Sequence, residues 1–198
     1  GSNTTEAHPV LATRIKQNVR DGADLLVFDP REVQIAEYAT QYTRVNPGYD
    51  AVWINGITRY LVENDLHDEA FVEERTTGFA DVREAVQEFT PDVVEEVTGV
   101  PHEEIVAAAE TIADADACVF GWTLGLTEHS HGTENVVAMA NLAAITGNLG
   151  KPGAGVSPFR GQNNVQGGGG DMGPLPDNFP GYQDVADDEI RAKFEDAW

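Results

Sequence analysis

The sequence predicts an α/β fold, a parallel sheet covered by helices and followed by a long Gly/Pro-rich loop segment. Three observations carry that prediction. Apolar runs at 23–28 and 117–122 are too short for core helices and stand between segments of helical period. Residues 68–116 show the helical period almost without a break. Residues 147–181 then hold 11 of the 20 glycines and 5 of the 10 prolines, a length of loop that compact domains keep for function or linkage. Helices alternating with short buried strands imply parallel pairing.

Thr4-Thr5 offer an N-cap and Pro9 suits a first helical turn, so a helix is expected to carry Leu11, Ile15 and Val19 on one face and to end near Asp21-Gly22. A buried strand over 23–28 stops at Asp29-Pro30-Arg31, where proline cannot continue a ladder. A short helix around 33–36 and a strand around 42–45 precede the turn Asn46-Pro47-Gly48. Residues 49–63 read as a long helix. Gly78, Pro91, Gly99 and Pro101 divide the next stretch into amphipathic helices, with Ile105, Ala108, Ala109 and Ile112 on one face. A second buried strand is expected at 117–122. A helix over 133–145 is expected to turn Val136, Val137, Ala140, Ala143 and Ala144 inward, and the tail from Asp184 forms a short helix. The resulting class is a parallel, Rossmann-like sheet covered by helices.

At 198 residues the chain can bury a sizeable core. Its formal net charge of −22 argues against nucleic acid and anionic membrane surfaces as partners. Three lysines stand against nine arginines, and half of the 34 acidic residues fall between Glu63 and Asp116. Such a solvated acidic face suits high salt, where screening tames self-repulsion, and points to a halophile. Cys118 is the only cysteine, so the chain supplies no disulfide and no cysteine-based metal site, and its apolar setting suits a small buried thiol. No stretch has the length and apolarity of a bilayer span, no signal peptide is present, and no residues form a metal-ligand pattern.

Ligands of parallel sheets bind beyond the carboxyl ends of the strands. Asp29-Pro30-Arg31, Asn46-Pro47-Gly48-Tyr49-Asp50 and Thr123-Leu124-Gly125-Leu126-Thr127-Glu128 fall there. One aspartate can take ribose hydroxyls. A second can take a guanine edge, whose N1–H and 2-amino group are adjacent donors; capping of a turn by Asp29 or Asp50 is an equal alternative. No GxGxxG is present, so an ordinary dinucleotide fingerprint is absent. His129 and His131 stand near the Gly125 loop, either facing a ligand or on the surface. Further on, Arg160-Gly161-Gln162-Asn163-Asn164-Val165-Gln166-Gly167 joins an arginine, four amides and glycines. Glycine allows close backbone approach, the amides donate and accept, and a guanidinium fork suits a carboxylate or phosphate. A Gly-rich surface loop is the alternative.

Gly1-x-Asn3-x-x-Glu6-x-His8-Pro9, Asp29-Pro30-Arg31, Pro47-Gly48-Tyr49-Asp50, Thr146-Gly147-Asn148-Leu149-Gly150-Lys151-Pro152-Gly153 and the Arg160–amide–glycine loop occur in this order. In this the chain resembles the central part of the large subunit of molybdopterin-dependent formate dehydrogenases. The resemblance covers essentially all 198 residues. It implies an α/β molybdopterin guanine dinucleotide-binding domain over 1–160, and an active-site loop with the start of an adjoining domain over 161–198. It places Ser2, Asn3 and Glu6 at a loop and helix start against one guanine dinucleotide cofactor, Asp29 and Arg31 at its guanosine end, Gly48 in the turn before Asp50, and Asp50 at its guanine. Leu124, Gly125 and Glu128 would border pterin or pyrophosphate; Glu128 stands where many relatives have glutamine. Arg160 would hold the formate carboxylate beside the metal, and Gln162 would line the same pocket.

By the same resemblance the cofactor is bis(molybdopterin guanine dinucleotide) with molybdenum or tungsten. A 4Fe–4S cluster, the cysteine or selenocysteine that ligates the metal, and a neighbouring histidine belong before Gly1. A further cofactor-binding domain belongs after Trp198, so the chain is expected to be an inactive fragment by itself. The expected partners are formate and an electron-transfer subunit or domain, with no direct membrane insertion. The expected location is cytoplasmic, any twin-arginine export signal lying upstream. A sister molybdopterin enzyme such as a nitrate reductase, and a non-catalytic nucleotide-binding module, stay open as alternatives. A serine or aspartate as the missing metal ligand would favour the sister enzyme.

Overall fold

Helix punctuation at the amino end differs from expectation by one turn. In the computed structural model, which describes residues 1–165, 178–181 and 183–198, the chain is already helical at Thr4. The first helix, α1 (Thr4–Ala7), is a single turn whose N-cap position is Asn3 rather than Thr4 or Thr5, with no side-chain cap bond. His8 then holds the N-cap position of α2 (Pro9–Arg20) without a side-chain cap bond, and the helix's first residue is the proline that needs no N–H there. Strand β1 is only Leu26–Phe28, because the Leu25 N–H is taken by Thr40 Oγ1 at 3.1 Å and Ala23 and Asp24 are exposed. A 3₁₀ turn (Gln34–Tyr38) leads to β2 (Gln41–Thr43), which pairs parallel with β1, Val27 beside Tyr42.

The helical layer follows as α3 (Asp50–Glu63), α4 (Glu69–Arg75), α5 (Phe79–Ala85), α6 (Pro91–Thr98) and α7 (His102–Asp114). Thr90 caps α6 through the Val93 N–H, Pro91 opens it, and Gly99 at φ +72° ends it. The predicted face of α7 is buried at all four positions, against α3, whose Ile54, Ile57 and Leu61 are almost wholly enclosed. Of the acidic residues between Glu63 and Asp116, all but Glu104 are exposed, so they form the solvated face of this layer.

Strand β3 (Val119–Trp122) is half covered, with Phe120 and Trp122 inward and Val119 exposed. A one-turn helix, α8 (Leu124–Thr127), and α9 (Gly132–Ile145) follow. The inward face of α9 is rotated from the expected one: Ala143 is buried, but Val137 and Ala140 are exposed, and Asn135, Ala138, Met139 and Leu142 face inward instead. The cause is Asn135, fully buried, whose amide must face the core: its Oδ1 accepts from Ala51 N at 3.0 Å and its Nδ2 donates to Leu126 O at 2.9 Å.

Helix α9 ends in a Schellman motif, with Asn148 N donating to Ala143 O, Gly147 N donating to Ala144 O, and Gly147 at φ +62°. Asn148, buried, then accepts from Cys118 N at 2.8 Å and donates to Thr146. The Gly-Asn-Leu-Gly-Lys-Pro segment is therefore a device that closes α9 onto the start of β3. Burial pushes the Cys118 thiol up to about 11, in keeping with an inert buried thiol.

The Gly/Pro-rich segment is not all loop. It contains β4 (Gly155–Pro158), which pairs parallel with β3 in the register Val119 to Gly155. The glycines of 167–170, Gln166, Asp171, Met172 and Gly173 lie outside the described residues. Two compact units result, Gly1–Phe159 and Arg160–Trp198. The second holds an antiparallel pair, β5 (Asn178–Phe179) with β6 (Gln183–Asp184), and α10 (Asp188–Ala197), whose Phe194 stacks on Phe179 at 4.4 Å.

Replacing Asn135 by leucine keeps volume but strands the Ala51 N–H and the Leu126 carbonyl in the core. Each stranded group costs roughly 1–3 kcal/mol, so urea unfolding of the protein carrying this segment should show a loss of about 2–5 kcal/mol.

Candidate functional site

Three loops leave the carboxyl ends of β1, β2 and β3, where ligands of parallel sheets bind. Gly1 ties two of them together. Gly1 N donates to Phe28 O at 3.0 Å, at the end of β1. Gly1 O accepts from Thr123 Oγ1 at 2.7 Å and from Gly125 N at 3.3 Å, in the loop after β3. The approach is too close for side chains: a Cβ on Gly125 would lie 2.6 Å from the Gly1 Cα. Glycine is required at both positions by contact.

Asp29 is buried at the end of β1. One carboxylate oxygen accepts from Arg31 N at 2.9 Å, closing its own turn, and its carbonyl accepts from Tyr42 Oη at 3.1 Å. The turn-capping role is thus realised, while the second oxygen faces the Gly1 nitrogen at 3.8 Å.

Asp50 opens α3 and is also buried. Its Oδ1 accepts from Trp53 Nε1 at 3.4 Å, one helical turn on. Its Oδ2 lies 3.7 Å from His129 Nε2. Burial raises the Asp50 pKa, and the Trp53 hydrogen bond and the nearby His129 offset part of that rise. The Trp53 indole in turn stacks on Phe28 at 4.1 Å with planes 3° apart, which joins the residue before Asp29 to the helix carrying Asp50.

Two histidines hold the loops from the other side. His129 Nε2 donates to Gly125 O at 2.8 Å, and His131 Nε2 donates to Gly48 O at 2.8 Å. Gly48 sits at φ +91°, so the turn before Asp50 requires glycine.

Ser2 Oγ, Asn3 Oδ1, Thr4 Oγ1 and Thr5 Oγ1 are buried without a hydrogen-bond partner among the described residues. A buried polar atom left so costs roughly 1–3 kcal/mol, a cost that a polar group reaching these four would relieve. Three hydroxyls and an amide oxygen suit phosphate oxygens and pterin N–H groups. The α1 turn is too short to supply a helix dipole, so this affinity rests on side chains.

The contacts thus connect Gly1 with Asp29 and Gly125, and Asp50 with His129 and Gly125. Glu6, Arg31, Leu124 and Glu128 are exposed. Arg160 and Gln162 are exposed and belong to the second unit. Among the described residues no three or more His, Cys, Asp or Glu are grouped to hold a metal. A cavity of about 200 Å³ lined by Arg59, Tyr60, Glu63 and His102 lies among α3, α6 and α7 and involves none of these loops. Trp53 and Asn135 escape the sequence reading, and Thr4, Thr5 and Thr123 enter it without these contacts. Trp53, three residues beyond Asp50 on one helix, was accessible to it; the others act through pairing across the fold.

The sequence model of the molybdopterin oxidoreductase family matches residues 1–194. A provisionally named formate dehydrogenase of Staphylococcus haemolyticus is 45% identical over 196 residues, which is 98% of this chain and 20% of the relative. A provisionally named formate dehydrogenase of Staphylococcus aureus strain USA300 is 42% identical over the same length. The chain therefore spans about a fifth of the length of the curated relatives it matches. Among solved structures, acetylene hydratase from Pelobacter acetylenicus superposes with a TM-score of 0.74 at 28% identity, over 77% of this chain and 21% of that one. The chain belongs to the molybdopterin oxidoreductase family.

Proposed function

We propose that this segment is part of a catalytic subunit that oxidises formate to CO2 at a molybdenum or tungsten bis(molybdopterin guanine dinucleotide) centre. The observation that carries the reading is the run of four unpartnered buried polar atoms at residues 2–5, next in sequence to Gly1, which bonds to the end of β1 and to the loop after β3. The names of the 42–45% identical relatives favour formate as the substrate. Ser2, Asn3, Thr4 and Thr5 would hold phosphate and pterin polar atoms. Asp29 and Arg31 would take the guanosine end, with Glu6 nearby. Asp50 would accept from guanine N1–H and the 2-amino group, beside the Gly48 turn. Leu124, Gly125 and Glu128 would border the pterin or pyrophosphate.

In this reading Arg160 binds the formate carboxylate through two parallel N–H···O bonds and offsets its desolvation, while Gln162 orients it. Formate leaves as CO2 after losing two electrons and the C–H proton. When bound, the metal–pterin centre supplies the two-electron acceptor. An electron-transfer subunit or domain receives the electrons, and a 4Fe–4S cluster belongs to another part of the complete subunit. The reading includes a cytoplasmic, salt-adapted enzyme. No helix among the described residues is long and apolar enough to cross a membrane. The likeness to acetylene hydratase favours, as a second reading, a sister enzyme acting on another small substrate.

The complete polypeptide, in high salt, should reduce a redox dye with formate and should not turn over nitrate; nitrate turnover alone would select the sister enzyme. Arg160→Ala should lower formate kcat/KM by about 10²–10³-fold with pterin content unchanged. Loss of pterin as well would make Arg160 a cofactor residue.

Asp50 can accept from two adjacent donors on both oxygens only when ionised, and burial raises its pKa in the cofactor-free protein. Cofactor affinity should therefore fall about tenfold per pH unit once the pH drops below that raised value. Titration of cofactor release against pH should show this slope in the wild type and not in Asp50→Asn.

A further inference from the structure

We propose that His129 is a positioning residue that sets the base-recognising edge of Asp50, an inference that rests on Asp50 being the guanine acceptor. The carboxylate has two oxygens with different surroundings. Oδ1 is engaged by Trp53 Nε1 at 3.4 Å. Oδ2 faces His129 Nε2 at 3.7 Å, too far for a hydrogen bond but close enough for the ring's N–H edge to bias its direction. Oδ2 therefore keeps its lone pairs for an incoming donor.

The imidazole can do this because its own proton is already placed. A carbonyl only accepts, so the 2.8 Å contact to Gly125 O requires the proton on Nε2. The same nitrogen thus fixes the loop after β3 and presents a positive edge to Asp50. The ring is itself braced: it lies 5.8 Å from the His131 ring with planes 22° apart, and His131 donates to Gly48 O in the turn that leads into Asp50. Two neighbouring imidazoles latch the Gly48 and Gly125 loops, and one of them also aims the carboxylate. Losing the His129 N–H should loosen Asp50 and weaken retention of the guanine end without removing any atom that touches the base.

The test is a double-mutant cycle in the complete subunit, read as the rate at which the guanine nucleotide is lost from loaded protein on gel filtration. His129→Phe keeps a ring and removes the donor, and His129→Gln restores an N–H donor of similar reach. His129→Leu replaces the Phe variant should that one fail to fold. His129→Phe is expected to speed loss about tenfold and His129→Gln about twofold or less, at matched melting temperature. Asp50→Asn should speed loss at least as much as His129→Phe, and the double variant no more than Asp50→Asn alone, because the histidine acts through the aspartate. An additive double variant, equal effects of Phe and Gln, or a neutral His129→Phe overturns the positioning role. An Asp50→Asn protein that keeps its nucleotide as the wild type does overturns the guanine assignment itself, and the positioning role with it.

Discussion

Trp53 does two jobs with one side chain, and the site depends on both. Its ring face stacks on Phe28, and its ring N–H holds Asp50. The end of β1 and the start of α3 are thereby fixed to each other, although the chain between them runs through a 3₁₀ turn, β2 and a glycine turn. Stacking of this kind adds about 0.5–1.5 kcal/mol beyond burial, and it is directional in a way that burial alone is not. Gly1 completes the arrangement by bonding to both Phe28 and Gly125. Two loops that come from separate parallel pairs in the described residues, β1 with β2 and β3 with β4, are thus brought to one place.

The local chemistry of the site opposes its own stability. A buried carboxylate at Asp50 and four unpartnered polar atoms at residues 2–5 each cost free energy in the chain as it stands. Nearby rigid elements hold them in place: the α3–α7 layer, the Asn135 bridge and the Asn148 closure. Such pre-organisation is what a large polar ligand needs, since groups already oriented lose little entropy on binding.

The fold class, the parallel pairing and the helical layer were legible because hydrophobic period and Gly/Pro punctuation report burial directly. The face of α7 is a good case: every apolar residue on it is buried. The face of α9 was misread because Asn135 overrides the apolar pattern; a polar residue with partners across the fold carries no mark of this in sequence. Strand β4 was missed inside a glycine- and proline-rich stretch, since its partner β3 lies more than thirty residues away and its own pattern is weak. Asp29 and Asp50 were legible as chemistry from their place after strands. His129 was not, because its distance to Asp50 is set only by the folded chain, whereas Trp53, three residues after Asp50 on one helix, was open to reading and went unread. The Gly-Asn-Leu-Gly-Lys-Pro motif was legible as a signature, and its physical role is to end α9 and cap β3.

The proposed function depends on a guanine-bearing pterin lying against residues 2–5 and Asp50. A high-resolution density map of the loaded complete subunit tests that directly. The account predicts a guanine edge within hydrogen-bond distance of Asp50 Oδ2, and phosphate or pterin atoms within the same distance of Ser2, Asn3, Thr4 and Thr5. Cofactor density that leaves those atoms untouched, with Asp50 bonded only to Trp53, would contradict it.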